Sequence, residues 1–440
     1  MLRSIGPAII VAAVVLGPGS ILTSSKVGAT FGIVGLPVVF AAAILMIAMV
    51  SLAARVGVIY EDSPCDELAK RWGRPIPLLI GLTLFTLVAL FQSSNNIAVV
   101  AGLEPLFGEE SLSFAVRCSI VGAMNACVLL TLYLARDLYK LVESAMKFLI
   151  GLMTVAFLVN FGIVFSKSAD RLSEVGQLPE SPDLLPLLGM IGTTFSVAGA
   201  FYQAYLVKER GWKIQDMRQG GRDAIVSISV LGIVTAVILS TSLLVFFPDG
   251  AKLQSVGDVA QQLEPSFGLA GKTIFCIGIL AGALSSFLVN AMIGGTVLSD
   301  SLGAGSRMSD RWPLHLTALA LLCGMSVAIA SFASKESTVH LITFAQALTI
   351  LGVPILAVAL IYLGTRPELE GERKIPRWII SLAIVGFIAS CIIACITASK
   401  VWGKLNPPPS ESASAVMSES TAEQFFWSDV ATVQNVIEIG

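Results

Sequence analysis

Charged residues are scarce in this 440-residue chain, at 13% against about 25% in soluble domains. With 55% hydrophobic residues and a mean hydropathy of +0.83, that shortage leaves no room for a large aqueous domain. Histidine is rarer still, at two residues, so catalysis built on imidazole is not expected and the chain does not read as an enzyme. The seven cysteines form no CxxC pair and sit mostly in apolar stretches, which argues against a disulfide framework or a zinc site. No basic patch with interleaved aromatics is present, so a nucleic-acid partner is excluded. The 28 basic and 30 acidic residues balance, and no polyelectrolyte partner follows. What the chain has is long apolar runs, with glycines scattered inside them as membrane helices tolerate. The expected class is an all-α integral membrane protein.

A bilayer crossing needs roughly 20 apolar residues. Such runs occur at 5–30, 34–55, 75–102, 113–135, 143–165, 184–206, 223–247, 270–300, 313–333, 337–364 and 377–400. Eleven runs alternating from a cytoplasmic N-terminus place 19 of the 28 basic residues on the cytoplasmic side, as the positive-inside rule requires. The expectation is a multi-pass protein of the inner (plasma) membrane with its C-terminus outside. The first run continues past the length of a signal-peptide core. Residues 1–404 read as one transmembrane domain, and residues 405–440, rich in Pro, Ser and Glu, as a disordered tail. The expected partners are the lipid bilayer and a small ion, and the expected state is a monomer.

Two runs carry breaks. Gly17-Pro18-Gly19-Ser20 lies at the middle of the first, where proline removes a donor and glycine makes unwinding cheap. The sixth has Thr193, Thr194, Ser196, Val197, Ala198 and Gly199 around its middle. Irregular backbone at membrane depth is tolerated where it is buried or lines a polar cavity. Paired interruptions in two halves mark the substrate site of a transporter built from inverted repeats. The repeats would be about 5–165 and 184–364, with 377–400 an added helix.

The order of these segments is similar to a known family. The stretch GPAIIVAAVVLGPGSILTSSKVGATFG follows a GP opening, a DPGN-like break and a GAxFG-like segment. The later runs ARDLYKLVESAMKFLIGLMTVAFLV, IFCIGILAGALSSFLVNAMIGGTVLSDSLG and ITFAQALTILGVPILAVAL match the family's fifth, eighth and tenth helices in order. Over residues 5–400 the chain resembles the natural-resistance-associated macrophage protein (NRAMP) family of proton-coupled divalent-metal transporters. That resemblance implies the LeuT-type 5+5 inverted repeat with broken helices 1 and 6.

The family's metal ligands are missing. Its motif Asp and Asn fall on Gly17 and Ser20, and its sixth-helix MPH on Ser196, Val197 and Ala198. Carboxylate and thioether groups select transition metals, and nothing nearby replaces them. The resemblance places the family's proton-route acids and second histidine at Gln92, Asn95 and Gln203, amides that do not titrate. Lys26, in the outer half of the first run, reads either as a snorkelling cation or as an anion attractor. Gln346 matches a glutamine that contacts substrate in the family. Ser285 and Ser286 stand where the fold forms sodium sites, so sodium is the candidate coupling ion and no other cofactor is expected.

Three readings follow. The first is a retargeted secondary transporter for a small anion such as bicarbonate or a small carboxylate, held by Lys26, the hydroxyls and the backbone donors of Gly19 and Ser20. The second is a divalent cation carried partly hydrated, for which Mg²⁺ is the natural ion because it dehydrates reluctantly. The third, a sensor or scaffold that transports nothing, fits the two clean breaks poorly.

Overall fold

The computed structural model describes residues 6–104, 107, 112–168, 184–247, 253, 256–333 and 352–405, and among them there is helix but no strand. Helices α1 (Ala8–Val15) and α2 (Pro18–Phe31) share the first apolar run. They are followed by α3 (Gly35–Ile59), α4 (Pro64–Trp72), α5 (Pro75–Leu103), α6 (Phe114–Leu134) and α7 (Leu138–Ser168). The sixth run holds α8 (Leu185–Thr194) and α9 (Val197–Glu209). Then come α10 (Met217–Phe246), α11 (Val256–Ser301), α12 (Arg311–Phe332), α13 (Gly352–Gly364) and α14 (Arg377–Leu405). Eight stretches among the described residues are long and apolar enough to cross a bilayer. Gln346, the first half of the tenth run and the tail from residue 406 lie outside the described residues.

Residues up to Ala394 form one compact unit. The second unit begins at Cys395, and its described part is helical. In the first unit α11 packs on α5, α7 and α12, while α10 packs on α2 and α3. Glycines set how close these helices come. A Cβ on Gly28 of α2 would lie 2.2 Å from the Leu239 carbonyl of α10. The pair Gly278 and Gly282 meets Phe157, Met153 and the Leu16 carbonyl, so this small-residue spacing serves packing within the chain.

The breaks are shorter than the sequence suggests. In the first, only Leu16 and Gly17 are unwound. Gly17 is extended (φ −77°, ψ 175°), as the residue before a proline must be. Pro18 starts α2 at a position where its missing N–H costs nothing. Gly19 and Ser20 are therefore helical. In the second, Phe195 and Ser196 are unwound, and Val197, Ala198 and Gly199 belong to α9. Ser196 ends the break because its Oγ accepts from Gly199 N–H at 3.4 Å, an N-cap.

Helix α4 is an element the apolar runs do not announce. It nonetheless carries full helix-end chemistry. Ser63 is the N-cap, Pro64 follows it, Asp66 and Glu67 occupy the first turn, and Lys70 and Arg71 the last.

Candidate functional site

The two breaks and the helices around them enclose a cavity with room of about 60 Å³ for the centres of water-sized molecules. Val14 and Val15 of α1, Leu84, Leu87, Val88 and Phe91 of α5, and Val353 and Leu356 of α13 make most of its wall. Among the described residues its polar side chains are Thr193, Ser196 and Asn290, and none that lines it is charged. Asn290 Nδ2 donates to Ser286 Oγ at 2.8 Å. Thr193 Oγ1 is turned to the Met190 carbonyl.

The other residues singled out from the sequence take varied places. Ser20 is buried, and its hydroxyl donates to the Val15 carbonyl. Gly17 faces Ser286, and a Cβ there would lie 2.6 Å from Ser286 Oγ. Ser285 Oγ lies 2.9 Å from both the Ala13 and the Gly282 carbonyls, which ties α11 to the end of α1. Thr194 is buried, with no partner for its hydroxyl. Gly17, Pro18, Gly19, Ser20, Val197 and Gly199 are not among the cavity-lining residues, whereas Ala198 is. Lys26 stands eight residues beyond Pro18, about 12 Å along α2 at the helical rise, and is absent from the cavity wall.

The amides lie buried in two places. Gln92 Nε2 donates to the Phe287 carbonyl, and Asn95 Nδ2 donates to Gln92 Oε1. Beside them Asn125 of α6 donates to Asn96 Oδ1 at 2.7 Å, a link between α5 and α6 that the sequence reading missed. Gln203 is fully buried, and neither of its amide atoms has a partner among the described residues. It lies seven residues past Ser196 on the same face of α9.

A second, larger cavity of about 970 Å³ on the same measure opens at the end of the molecule that carries α4 and the α9–α10 turn. Tyr60, Glu61, Asp62, Tyr205, Lys208, Glu209, Arg307 and Arg373 are in its wall, and it shares no residue with the first. On α9 the segment between the two is Phe201, Tyr202, Gln203 and Ala204, all fully buried.

Carboxylates tie the elements of this end together. Asp300, at the end of α11, is buried and accepts from Ser63 Oγ (2.5 Å), Cys65 N–H (3.1 Å) and Tyr205 Oη (2.6 Å). Burial pushes the Cys65 thiol well above its ordinary range, which leaves it an inert hydrogen-bonding group. Asp223 of α10 accepts from the backbone N–H groups of Gly6 and Ala8 at 2.6 and 2.9 Å. It caps α1 and holds it against α10, where a negative charge suits the helix dipole. Glu143 of α7 pairs with Lys147 and Arg210. Acids inside apolar runs are themselves the signal that could have singled out Asp223 and Asp300.

The model of the "Natural resistance-associated macrophage protein-like" family matches residues 8–400. The chain belongs to that family. Among its curated relatives, the divalent metal cation transporter MntH of Burkholderia ambifaria is 23% identical over 427 residues, covering 92% of this chain and 90% of the relative. MntH of Yersinia pestis is 22% identical over 408 residues, covering 90% and 96%. Among solved structures, the Eremococcus coleocola manganese transporter superposes with a TM-score of 0.76 at 19% identity, covering 94% of this chain and 90% of that one. MhsT in complex with L-phenylalanine gives 0.56 at 16% identity, covering 89% and 98%. The chain is thus a multi-pass membrane transporter of the LeuT-type fold and not an enzyme.

Proposed function

We propose that this NRAMP-family protein moves a divalent cation that keeps most of its water, Mg²⁺ being the ion of that character. The observation that carries this reading is the wall of the central cavity. Among the described residues it offers neutral oxygen ligands from Thr193, Ser196 and Asn290 and no charged group. A hydrated dication can hydrogen-bond through its own waters to such oxygens, and the C-terminal ends of α1 and α8 add the negative pole of two helix dipoles. A bare transition metal would need the carboxylate and thioether ligands that Gly17, Ser20 and Ser196 do not supply. The relatives named as divalent cation transporters support the same class of cargo.

The small-anion reading loses support in the geometry. Gly19 and Ser20 are not among the residues that line the cavity, the Ser20 hydroxyl donates to the Val15 carbonyl, and Lys26 stands well away along α2. The end that carries α4 gathers the basic loops and is proposed to face the cytoplasm. Sodium is the proposed coupling ion, with the Ser285 hydroxyl and the Ala13 and Gly282 carbonyls its candidate oxygens.

The test is uptake by the full chain in proteoliposomes, paired with calorimetry for Mg²⁺, Mn²⁺ and bicarbonate. Saturable Mg²⁺ uptake that Asn290→Leu abolishes, with weak Mn²⁺ binding, is expected. Bicarbonate binding without Mg²⁺ binding would restore the anion. Dependence of uptake on a sodium gradient, and its loss in Ser285→Ala, decides the coupling ion.

A further inference from the structure

At the basic end, α6 and α12 meet in a cluster that the transport site does not use. Tyr133 Oη and His315 Nδ1 share a hydrogen bond of 2.9 Å between the two helices. Trp312 packs edge-on against His315. All three side chains are exposed, Tyr133 at 48% and Trp312 at 56%. Arg136 follows Tyr133 by three residues, and Arg311 precedes His315 by one helical turn. Both guanidiniums are exposed and have no ion-pair partner among the described residues. The neighbouring acids are occupied. Asp137 pairs with Lys140, and Asp310 accepts from Arg307 N–H.

An imidazole, a phenol and an indole exposed together at the end of two membrane helices sit at the depth of lipid headgroups. Two free guanidiniums beside them match a phosphate in charge and in geometry. We propose that this surface is a binding site for an anionic phospholipid. Arg136 and Arg311 hold the phosphate, and the Tyr133–His315–Trp312 cluster contacts the glycerol region. The proposal is independent of what the central cavity carries. It rests on the membrane reading alone, and the leaflet concerned is the one facing the basic end.

The experiment is native mass spectrometry of the full chain extracted from nanodiscs of phosphatidylcholine with added phosphatidylglycerol. The wild type should retain phosphatidylglycerol selectively. Arg136→Gln or Arg311→Gln should each weaken retention about fivefold, from roughly 1 kcal/mol per basic residue at an anionic surface, and the pair of changes should remove it. Arg222→Gln removes an exposed charge elsewhere on the same end and should leave retention unchanged. The residues are surface groups, and an unchanged melting temperature in detergent confirms that the variants fold. Should the double variant be unstable, Tyr133→Phe with His315→Leu provides the same test without touching charge. Equal losses in Arg222→Gln would reduce the site to general surface charge and overturn the proposal. Displacement of the lipid by inorganic phosphate, or full retention in the double variants, would overturn it as well.

Discussion

The buried acids at the basic end of this transporter and the buried Gln203 and Thr194 at its middle stand in opposite situations. At the basic end the buried carboxylates are saturated: Asp300 takes three donors and Asp223 takes two backbone N–H groups. At the middle, among the described residues, charge is absent from the cavity wall, and Gln203 and Thr194 are buried with polar atoms that find no partner. A buried group left unpaired costs about 1–3 kcal/mol. The contrast separates a part built to hold one arrangement from a part that keeps unspent hydrogen-bonding capacity for another arrangement or for cargo.

The strongest way to break this contrast is to remove the anchor. Asp300→Ala strands Ser63, the Cys65 N–H and Tyr205 in a buried site and should cost about 4 kcal/mol. Thermal unfolding in detergent reads this as a large drop in melting temperature, and a small drop would mean that the network is not what holds this end.

Next in size is an attempt to restore a charge to the middle. Gly17→Asp places a Cβ 2.6 Å from Ser286 Oγ and should destabilise by about 3 kcal/mol. Adding Ser286→Gly opens the space, so the double variant should recover the steric part of the loss. Without recovery, the neutral middle is not a matter of fit between α1 and α11.

Gln203→Leu should act with the opposite sign. An apolar side chain of similar size removes two unpaired polar atoms, so the melting temperature should rise, by about 1–2 kcal/mol of stability. Uptake should fall at least severalfold if the amide serves cargo or water passing between the two cavities. Unchanged uptake would make Gln203 a packing residue.

The smallest effect sharpens the picture at the protein surface. Arg71 and Arg366 hold the Glu368 carboxyl below its ordinary value of 4.5, chiefly through the hydrogen bond from Arg71. A depressed carboxyl contributes stability above its unfolded pKa and loses it as pH falls through the folded one. Glu368→Gln should therefore melt slightly below the wild type at neutral pH, and the two curves should converge once the pH is well below 4.5. A gap that persists in acid would point to packing instead of charge.

Much of this arrangement is readable along the chain. Pro18 forces Gly17 into an extended backbone and starts α2, and Ser196 caps α9; both breaks follow from local rules about single residues. The apolar runs locate the long helices because a bilayer demands length and hydrocarbon. The extent of unwinding is different. Gly19, Val197 and Gly199 look like breakers in sequence but are helical, because the half-helices gain more from packing than the propensities cost. Helix α4 escaped notice because it is polar on one side and too short to form an apolar run.

The sequence by itself determined the class of protein, the places where two helices stop and restart, and the absence of any acidic residue, histidine or methionine from residues 14–20 and 192–199 around those places. Each is a property of residue type and spacing. Tertiary structure alone decided which residues share the cavity. Asn290 and Thr193 reach it while Ser20 turns inward to Val15 and Lys26 is carried away along α2. Tertiary structure also joined Asp300 to Ser63 and Tyr205, and Asp223 to the start of α1, across separations of 95 to 237 residues. The physical reason is that the direction of a side chain around its helix, and the partner that then meets it, depend on how separate helices cross. No local pattern fixes those crossings.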